Sequence, residues 1–179
     1  MFGGKMTKSA GLLMYRFKNN QLEVFLGHPG GPYWKNKDNW GMPKGKQNEN
    51  EDDLLQVAIR EFHEETAIVP DNEIFIELGD HKVQGKNKTI YAWAFEKNFE
   101  GQIKSNEIEI EYPLRSGQKM FVPEMDEGRW FYLMEAKEKI HSSQKVFIEK
   151  IEQLYKNGLL NSVKKVEEIF KEGRNFKND

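Results

Sequence analysis

Apolar and polar positions along the chain follow patterns that predict a protein built largely of strands. Seven stretches have the β-branched, aromatic or alternating content of strands and are bounded by polar or glycine-containing turns. The predicted strands are residues 9–17, 22–27, 73–78, 89–95, 107–112, 119–122 and 129–133. A polar turn at residues 18–21 joins the first two strands, which favours a hairpin at the start of the chain.

The apolar spacing becomes helical between residues 52 and 66. One predicted face of this helix is apolar and consists of Leu55, Ala58, Ile59 and Phe62. A second helix is predicted from residue 143 onward, with the apolar positions Val146, Phe147, Ile151, Leu154 and Tyr155. After the turn at residues 157–158, a third helix is predicted over residues 162–171, with the apolar positions Val163, Val166, Ile169 and Phe170.

Strands around a central helix, with more helix at the end, indicate an α/β or α+β sandwich. A chain of 179 residues suits one domain with a buried core. We expect that domain to span residues 1–156 and residues 157–179 to form a helical appendage.

Composition excludes several classes of protein. The chain has no cysteine, which rules out disulfides, thiolate metal sites and cysteine nucleophiles. Its net charge of −2 disfavours partners such as long nucleic acids, and it has no apolar run near the roughly 20 residues that cross a bilayer. We therefore expect a cytoplasmic protein that acts on a small molecule, and we predict no oligomeric state.

Three glutamates lie on one flank of the predicted helix 52–66. At about 100° per residue, Glu61, Glu64 and Glu65 fall on the same side of the apolar face. Like charges three and four residues apart repel each other, and the C-terminal end of a helix adds to that cost. A divalent cation among the oxygens makes the arrangement favourable, and hard ions such as Mg²⁺ or Mn²⁺ prefer carboxylates.

Metal-bound carboxylates next to cationic groups are suited to phosphoanhydride hydrolysis. Divalent ions screen phosphate charge and activate a bound water. Arg60 can orient a carboxylate through a bidentate pair. Residues 44–46 are expected to form a flexible loop that brings Lys44, Lys46 and backbone N–H groups to phosphate oxygens.

Residues 45–68 read G-K-Q-N-E-N-E-D-D-L-L-Q-V-A-I-R-E-F-H-E-E-T-A-I. They resemble the Nudix box, G-x5-E-x7-R-E-U-x-E-E-x-G-U, where U is a bulky aliphatic residue. The segment W-G-M-P-K-G before the box and P-E-M-D-E-G-R-W-F after it extend the resemblance over most of the chain. They are similar to predicted nucleoside polyphosphate pyrophosphohydrolases, and the first is similar to diadenosine polyphosphate hydrolases. The resemblance implies a mixed sheet between helices, with the box as a loop-helix-loop unit.

The resemblance also implies roles for individual residues. It assigns Mg²⁺ or Mn²⁺ to Glu61, Glu64, Glu65 and the carbonyl of Gly45. The general base is then Glu64, Glu65 or a carboxylate recruited from outside the box. Five acids outside the box are candidates, and they are Glu109, Glu111, Glu124, Asp126 and Glu127. Glu124 is favoured among them because it follows Pro123 at a loop.

Two positions depart from the Nudix box. Counted from Gly45, Arg60 comes one residue late, so that either Glu51 or Asp52 fills the early acidic position. Ala67 replaces the late glycine, which costs about 1 kcal/mol where the backbone is left-handed. Neither change removes a predicted metal ligand.

The sequence therefore predicts a metal-dependent hydrolase of nucleoside or dinucleoside polyphosphates. Tyr33, Trp34 and Trp40 are candidates for stacking on a nucleobase, although they could instead pack their loop onto the sheet. Lys44 and Lys46 are candidates for contact with phosphate. Two other activities stay open, namely cleavage of oxidised nucleoside triphosphates and trimming of RNA 5′ ends. A non-catalytic Nudix module that only binds a nucleotide is the alternative from another class.

Overall fold

The computed structural model describes residues 6–71 and 73–160. The elements of this part of the chain are, in order, β1 (Thr7–Lys18), β2 (Gln21–Pro29), β3 (Lys44–Lys46), α1 (Leu54–Thr66), β4 (Ile76–Lys82), β5 (Lys88–Glu96), β6 (Glu107–Glu111), β7 (Lys119–Pro123), β8 (Met125–Tyr132), α2 (Leu133–Lys139) and α3 (Lys145–Lys156). A single 3₁₀ turn, Ser142–Gln144, precedes α3. None of the helices in this part of the chain is long and apolar enough to cross a membrane.

Six strands form one mixed sheet. Five of them follow the order β4-β5-β1-β2-β8, and β3 also pairs with β1. β1 and β5 run parallel, and the other pairs are antiparallel. Because β1 is central and both faces of the sheet are covered, its side chains are buried on both sides.

Helices cover the two faces of the sheet. Leu12 and Met14 of β1 pack with Phe62 of α1 on one face. Leu13 of β1 packs with Phe147 of α3 on the opposite face, because successive strand residues point to opposite sides. The predicted sandwich of a mixed sheet between helices is confirmed.

Local chemistry sets both ends of α1. The Asp53 side chain accepts hydrogen bonds from the N–H groups of Leu55 and Gln56, which caps the first turn. At the other end Ala67 adopts φ 58° and ψ 12°, and its N–H donates to the carbonyl of His63. The left-handed conformation expected at this box position is therefore present with alanine in place of glycine.

β6 and β7 form a separate two-stranded hairpin outside the main sheet. Its tip is the segment 112–118, and its second strand leads directly through Glu124 into β8. The hairpin thus places its own residues close to the segment that carries Glu124.

Three predictions of secondary structure were wrong. Residues 44–46, expected to be a flexible loop, form β3 because they pair with residues 9–11 of β1. The predicted strand 129–133 ends at Tyr132, and Leu133 begins a helix whose Ala136 is buried in the core. The strand predicted over residues 73–78 covers Ile76–Lys82, where pairing with β5 fixes its extent.

The predicted C-terminal helix 162–171 lies outside the described residues, as does most of the expected appendage. Leu160, which lies beyond the expected domain boundary at residue 156, is buried in the core. The chain therefore remains packed on the domain at least as far as residue 160.

Candidate active site

β3 lies directly against the acidic flank of α1. A Cβ atom added to Gly45 would lie 2.0 Å from the carboxyl carbon of Glu61, closer than any side chain tolerates. A larger residue at this position would therefore displace the Glu61 carboxylate from β3. The backbone of β3 and the Glu61 carboxylate form a cradle that side chains larger than hydrogen would fill.

Arg60 organises the exposed side of this cradle. Its Nε and Nη2 donate to the two carboxylate oxygens of Glu51, at 2.7 and 3.1 Å. Its Nη1 lies 2.9 Å from Glu61 Oε1 and donates to Glu64 Oε2 at 3.0 Å. Glu51 thus fills the early acidic position of the box, and the extra residue lies between Glu51 and Arg60. A fourth partner is the carbonyl of Lys46, which accepts from Nη2 at 3.3 Å and links the arginine to β3.

Glu65 is the most deeply buried of the three box glutamates. Only 3% of the residue is exposed, and its Oε2 accepts a hydrogen bond from the Lys44 N–H at 3.0 Å. Burial raises the pKa of Glu65 to about 8, and the nearby charges of Glu124 and Glu61 add to this, against the opposing effect of Lys44. Because burial disfavours the ionised form of Glu65, a cation bound beside the carboxylate would stabilise that form.

Glu61 is also largely buried, whereas Glu64 lies at the exposed edge. Burial raises the pKa of Glu61, Arg60 opposes that effect, and Glu64 and Glu124 reinforce it. The Glu64 side chain is 42% exposed and points toward Arg60. The three carboxylates therefore share one flank of α1, as predicted, and none of them lies in an isolated patch of solvent.

Within residues 6–71 and 73–160, no three acidic or histidine side chains stand close enough together to hold a metal ion as arranged. The hydrogen bonds explain this spacing. Arg60 engages Glu61 and Glu64, while the backbone of Lys44 engages Glu65. The donors are nevertheless the hard oxygens that Mg²⁺ and Mn²⁺ prefer, and the cradle at Gly45 brings backbone to them.

A cleft of about 320 Å³ adjoins the buried end of this flank. Its charged lining includes Glu65, Glu124 and Lys44. The rest of its described lining is mainly apolar, aromatic or amide in character: Gly27, Pro29, Gly30, Tyr33, Trp34, Asn39, Trp40, Gly41, Met42, Ile108, Ile110, Met125, His141 and Gln144. The cleft therefore combines a carboxylate pair with apolar walls.

Asn106 holds Glu124 beside the box. The Asn106 side-chain amide donates to Glu124 Oε2 at 3.1 Å, and the Glu124 N–H donates to the Asn106 carbonyl at 3.0 Å. The N–H of Asn106 in turn donates to the carbonyl of Glu64 at 2.8 Å. One residue thus links the end of α1 to the carboxylate that follows β7.

The other predicted acids outside the box are engaged elsewhere. Glu109 pairs with Lys119, and Glu111 accepts from the N–H of Gly117. Two more pairs take up the remaining acids, and they are Asp126 with His28 and Glu127 with Arg129. Of the five candidates, Glu124 is the one that lines the cleft.

The predicted substrate-binding residues have different surroundings. Tyr33 is 36% exposed, and Trp40 is only 4% exposed. Phe131 and His28 pack against the Trp40 ring, and the Arg129 guanidinium lies 5.0 Å from its centroid. Trp40 therefore has little free ring surface for a ligand, and Tyr33 has more.

Lys44 lines the cleft and Lys46 does not. Both lysines lie near Lys86 and Lys88, two further cationic residues that the sequence analysis did not single out. Burial lowers the pKa of Lys88, and the charges of Lys44, Lys46 and Lys86 lower it further. The register explains this proximity, since Lys44, Lys46 and Lys88 pair with alternate residues of β1 and so share one face of the sheet.

Sequence reasoning also missed Asn106, His141 and the hairpin residues Ile108 and Ile110. No local pattern marks Asn106, since its partners lie far away along the chain. The pattern at residues 107–112 predicted a strand, but it did not indicate which surface that strand would cover.

Comparison with known proteins agrees with this geometry. The family model described as the NUDIX domain matches residues 5–151 of the chain. A curated relative, an uncharacterized protein of Acanthamoeba polyphaga mimivirus, is 36% identical over 63 residues. That match covers 35% of this chain and 20% of the viral protein, so the chain spans only a fifth of that relative's length.

Solved structures share the fold. The chain is similar to the Ap4A hydrolase of C. elegans in a binary complex, with a TM-score of 0.61 and 22% identity over 84% of this chain and 98% of that one. A MutT/Nudix family protein from Listeria innocua has a TM-score of 0.58 and 19% identity, over 86% of this chain and 96% of that one. The NUDIX domain of Shewanella oneidensis NrtR, complexed with ADP ribose, has a TM-score of 0.55 and 16% identity, over 82% of this chain and 86% of that one.

Proposed function

The chain belongs to the Nudix family of pyrophosphohydrolases, and on that premise we propose that it is a divalent-metal-dependent hydrolase of nucleoside or dinucleoside polyphosphates. One observation carries the proposal. Two buried carboxylates, Glu61 and Glu65, lie together on α1, and Gly45 approaches one of them so closely that a Cβ atom there would displace the Glu61 carboxylate. Arg60 compensates the charge of Glu61, but burial raises the pKa of Glu65 to about 8, so its ionised form is poorly compensated and a bound divalent cation would stabilise it.

The residues that would hold Mg²⁺ or Mn²⁺ are Glu61, Glu64, Glu65 and the carbonyl of Gly45. Such ions supply charge neutralisation of the phosphates and a lowered pKa of bound water. Arg60 keeps Glu61 and Glu64 on the same side of the helix, because one guanidinium nitrogen contacts both carboxylates. Its bidentate pair with Glu51 fixes the guanidinium in turn.

Glu124 is the proposed general base. It lines the cleft with Glu65. The side-chain amide of Asn106 holds its carboxylate by a hydrogen bond to Oε2. Its carboxylate accepts a proton from the attacking water as the new P–O bond forms and the anhydride P–O bond breaks. Lys44 places an ammonium group at the same cleft, where it pairs with a phosphate oxygen. Lys46 is proposed to contact phosphate from the same face of the sheet.

The lining of the cleft supports the proposed substrate class. Its carboxylate and lysine groups suit a metal-bound phosphate chain, and its aromatic walls suit a nucleoside. The fold is shared with an Ap4A hydrolase and with a NUDIX domain that holds ADP ribose, which is compatible with a nucleotide ligand.

Replacing Glu64 with glutamine tests the proposal. Glu64 lies at the surface, so Glu64→Gln should fold normally while losing turnover by a factor of about 10² or more. Glu138→Gln is the matched control because it changes an exposed glutamate on α2. The assay is hydrolysis of ATP and diadenosine tetraphosphate with Mg²⁺ or Mn²⁺ in ¹⁸O-labelled water, with the products resolved by chromatography.

Two results would contradict the proposal. The first is equal turnover by Glu64→Gln and Glu138→Gln. The second is tight, metal-independent binding of these nucleotides without cleavage, which would identify a nucleotide-binding module instead of an enzyme.

A further inference from the structure

A β-bulge gives the buried ring of His28 a carboxylate partner. His28 of β2 pairs with Glu127 of β8, and Pro29 pairs with Met125, so Asp126 is an extra residue of β8 at this point. Bulges re-aim the side chain of the extra residue. The Asp126 carboxylate reaches the ring, with 2.7 Å between its Oδ1 and Nδ1 of His28.

The second ring nitrogen of His28 contacts the loop that follows β2. Nε2 lies 2.8 Å from the carbonyl oxygen of Lys37, nine positions further along the chain. A carbonyl oxygen and an ionised carboxylate can only accept hydrogen bonds, so both ring nitrogens must donate. The two contacts therefore assign the imidazolium form to His28. In this form the ring joins Lys37 of the loop to Asp126 of β8.

The loop that His28 holds forms one wall of the cleft. The residues that it contributes to the lining are Pro29, Gly30, Tyr33, Trp34, Asn39 and Trp40. His28 lies outside that lining, but its ring packs against the Trp40 ring at a centroid distance of 5.3 Å. Trp40 borders both the cleft and the surface pocket that contains His28. His28 thus lies behind the wall and can affect a substrate only through it.

Charged groups of three elements surround the His28 ring. They are Asp126, Glu127 and Arg129 of β8, Lys35, Lys37 and Asp38 of the loop, and Lys139 of α2. Glu127 pairs with Arg129 and Asp38 pairs with Lys139, whereas Asp126 pairs with His28 itself. Burial lowers the pKa of His28, but the two hydrogen bonds and the charges of Asp126 and Glu127 outweigh it and raise the pKa above 6.5.

We infer that His28 is a positioning residue whose imidazolium form holds the loop wall of the cleft in place for substrate binding. The inference rests on the proposed function, because its consequence is a change in affinity for the substrate. When the ring loses a proton, one nitrogen presents a lone pair to an acceptor. The remaining proton stays with the carboxylate of Asp126, which is the stronger acceptor. The contact with the Lys37 carbonyl is then lost, and substrate binding has to order the loop.

Steady-state kinetics as a function of pH tests this role. His28→Gln keeps an amide donor but cannot become charged, so it imitates the neutral ring. With ATP or diadenosine tetraphosphate and Mg²⁺, we expect its KM to exceed that of the wild type about five- to tenfold at about pH 6, with kcat within about twofold. The KM ratio should fall toward one as the pH rises through the pKa of His28. Titration of the nucleotide affects both proteins alike and cancels in the ratio.

Asp126→Asn is the second variant, because its side-chain oxygen can still accept from Nδ1 while the charge is gone. The Asp126 side chain is 36% exposed, so this replacement should fold normally. Loss of the charge lowers the pKa of His28, and the rise of KM should therefore begin at a lower pH than in the wild type. A merely structural role of His28 predicts no such displacement. His81→Gln is the matched control on the edge strand β4, and it should leave KM unchanged at every pH.

Two kinetic results would overturn the inference, namely a KM ratio that is the same at every pH and a loss confined to kcat. Amide hydrogen exchange without substrate separates it from the proposed function. Within the loop, the N–H groups of Trp34 and Lys35 donate to the Gly31 carbonyl, and that of Lys37 donates to the Trp34 carbonyl. These amides should exchange about tenfold faster in His28→Gln than in the wild type at about pH 6, and equal exchange also refutes the role. Because this measurement needs no turnover, an inactive protein would contradict the proposed function alone.

Discussion

Replacing Ala67 with glycine should stabilise the protein, because Ala67 follows α1 in the left-handed conformation at φ 58°. This conformation costs an alanine roughly 1–2 kcal/mol through contact between Cβ and the backbone. Glycine relieves that cost but loses about 0.4–1 kcal/mol through the greater freedom of the unfolded chain. Ala67 is exposed, so no packing is lost. The expected net gain is about 0.5–1 kcal/mol in the free energy of unfolding.

The assay is chemical and thermal unfolding followed by circular dichroism. For a chain of this size the gain corresponds to an increase in Tm of about 1–4 °C. Ala58→Gly is the matched control, since the same substitution is made within α1 at a fully buried residue. It should destabilise by about 1.5–2 kcal/mol, from roughly 1 kcal/mol of helix propensity and about 0.8 kcal/mol for the lost methyl group. Changes of the same sign at both positions, or destabilisation by Ala67→Gly, would refute the reasoning.

Two further predictions concern side chains that join distant segments. Asn106→Ala should lower kcat about tenfold in the wild-type background, because Asn106 acts by positioning the Glu124 carboxylate. It should have little effect on kcat when Glu124→Gln is already present. Equal losses of kcat in both backgrounds would instead indicate general damage to the fold. Burial lowers the pKa of His28, but hydrogen bonds to Asp126 and to the Lys37 carbonyl outweigh it and raise the pKa above its ordinary value of 6.5. The stability that Asp126 contributes should therefore be fully present below about pH 6.5 and be lost as the pH rises through the raised value. Unfolding of wild type and Asp126→Asn across this range measures it, and a gap that widens with pH would contradict the assignment.

Much of the candidate site could be predicted because its chemistry is local. Glu61, Glu64 and Glu65 lie within five consecutive residues, so helical periodicity alone places them on one flank. The choice between Glu51 and Asp52 could not be made in this way. It depends on which side chain reaches Arg60 across a loop, and the bidentate pair identifies Glu51.

Some local predictions failed because tertiary contacts overrode weak preferences. The segment Lys44–Lys46 has no strand character of its own, yet pairing with β1 makes it a strand and brings Gly45 to Glu61. The apolar run at residues 130–133 reads as continuous strand. The strand ends at Tyr132 and α2 begins at Leu133, and this helix buries Ala136 in the core.

By itself, the sequence determined the sandwich of strands and helices and the acidic flank of α1. Periodicity carries this information, because the spacing of apolar residues reports which side of an element is buried. Only the tertiary structure decided that Glu124 lies beside Glu65, that Asn106 fixes it and that Ile110 lines their cleft. These contacts join residues of different segments, 18 positions apart in the case of Asn106 and Glu124 and further apart for Glu65 and Glu124. They depend on strand order and register, which no local spacing encodes.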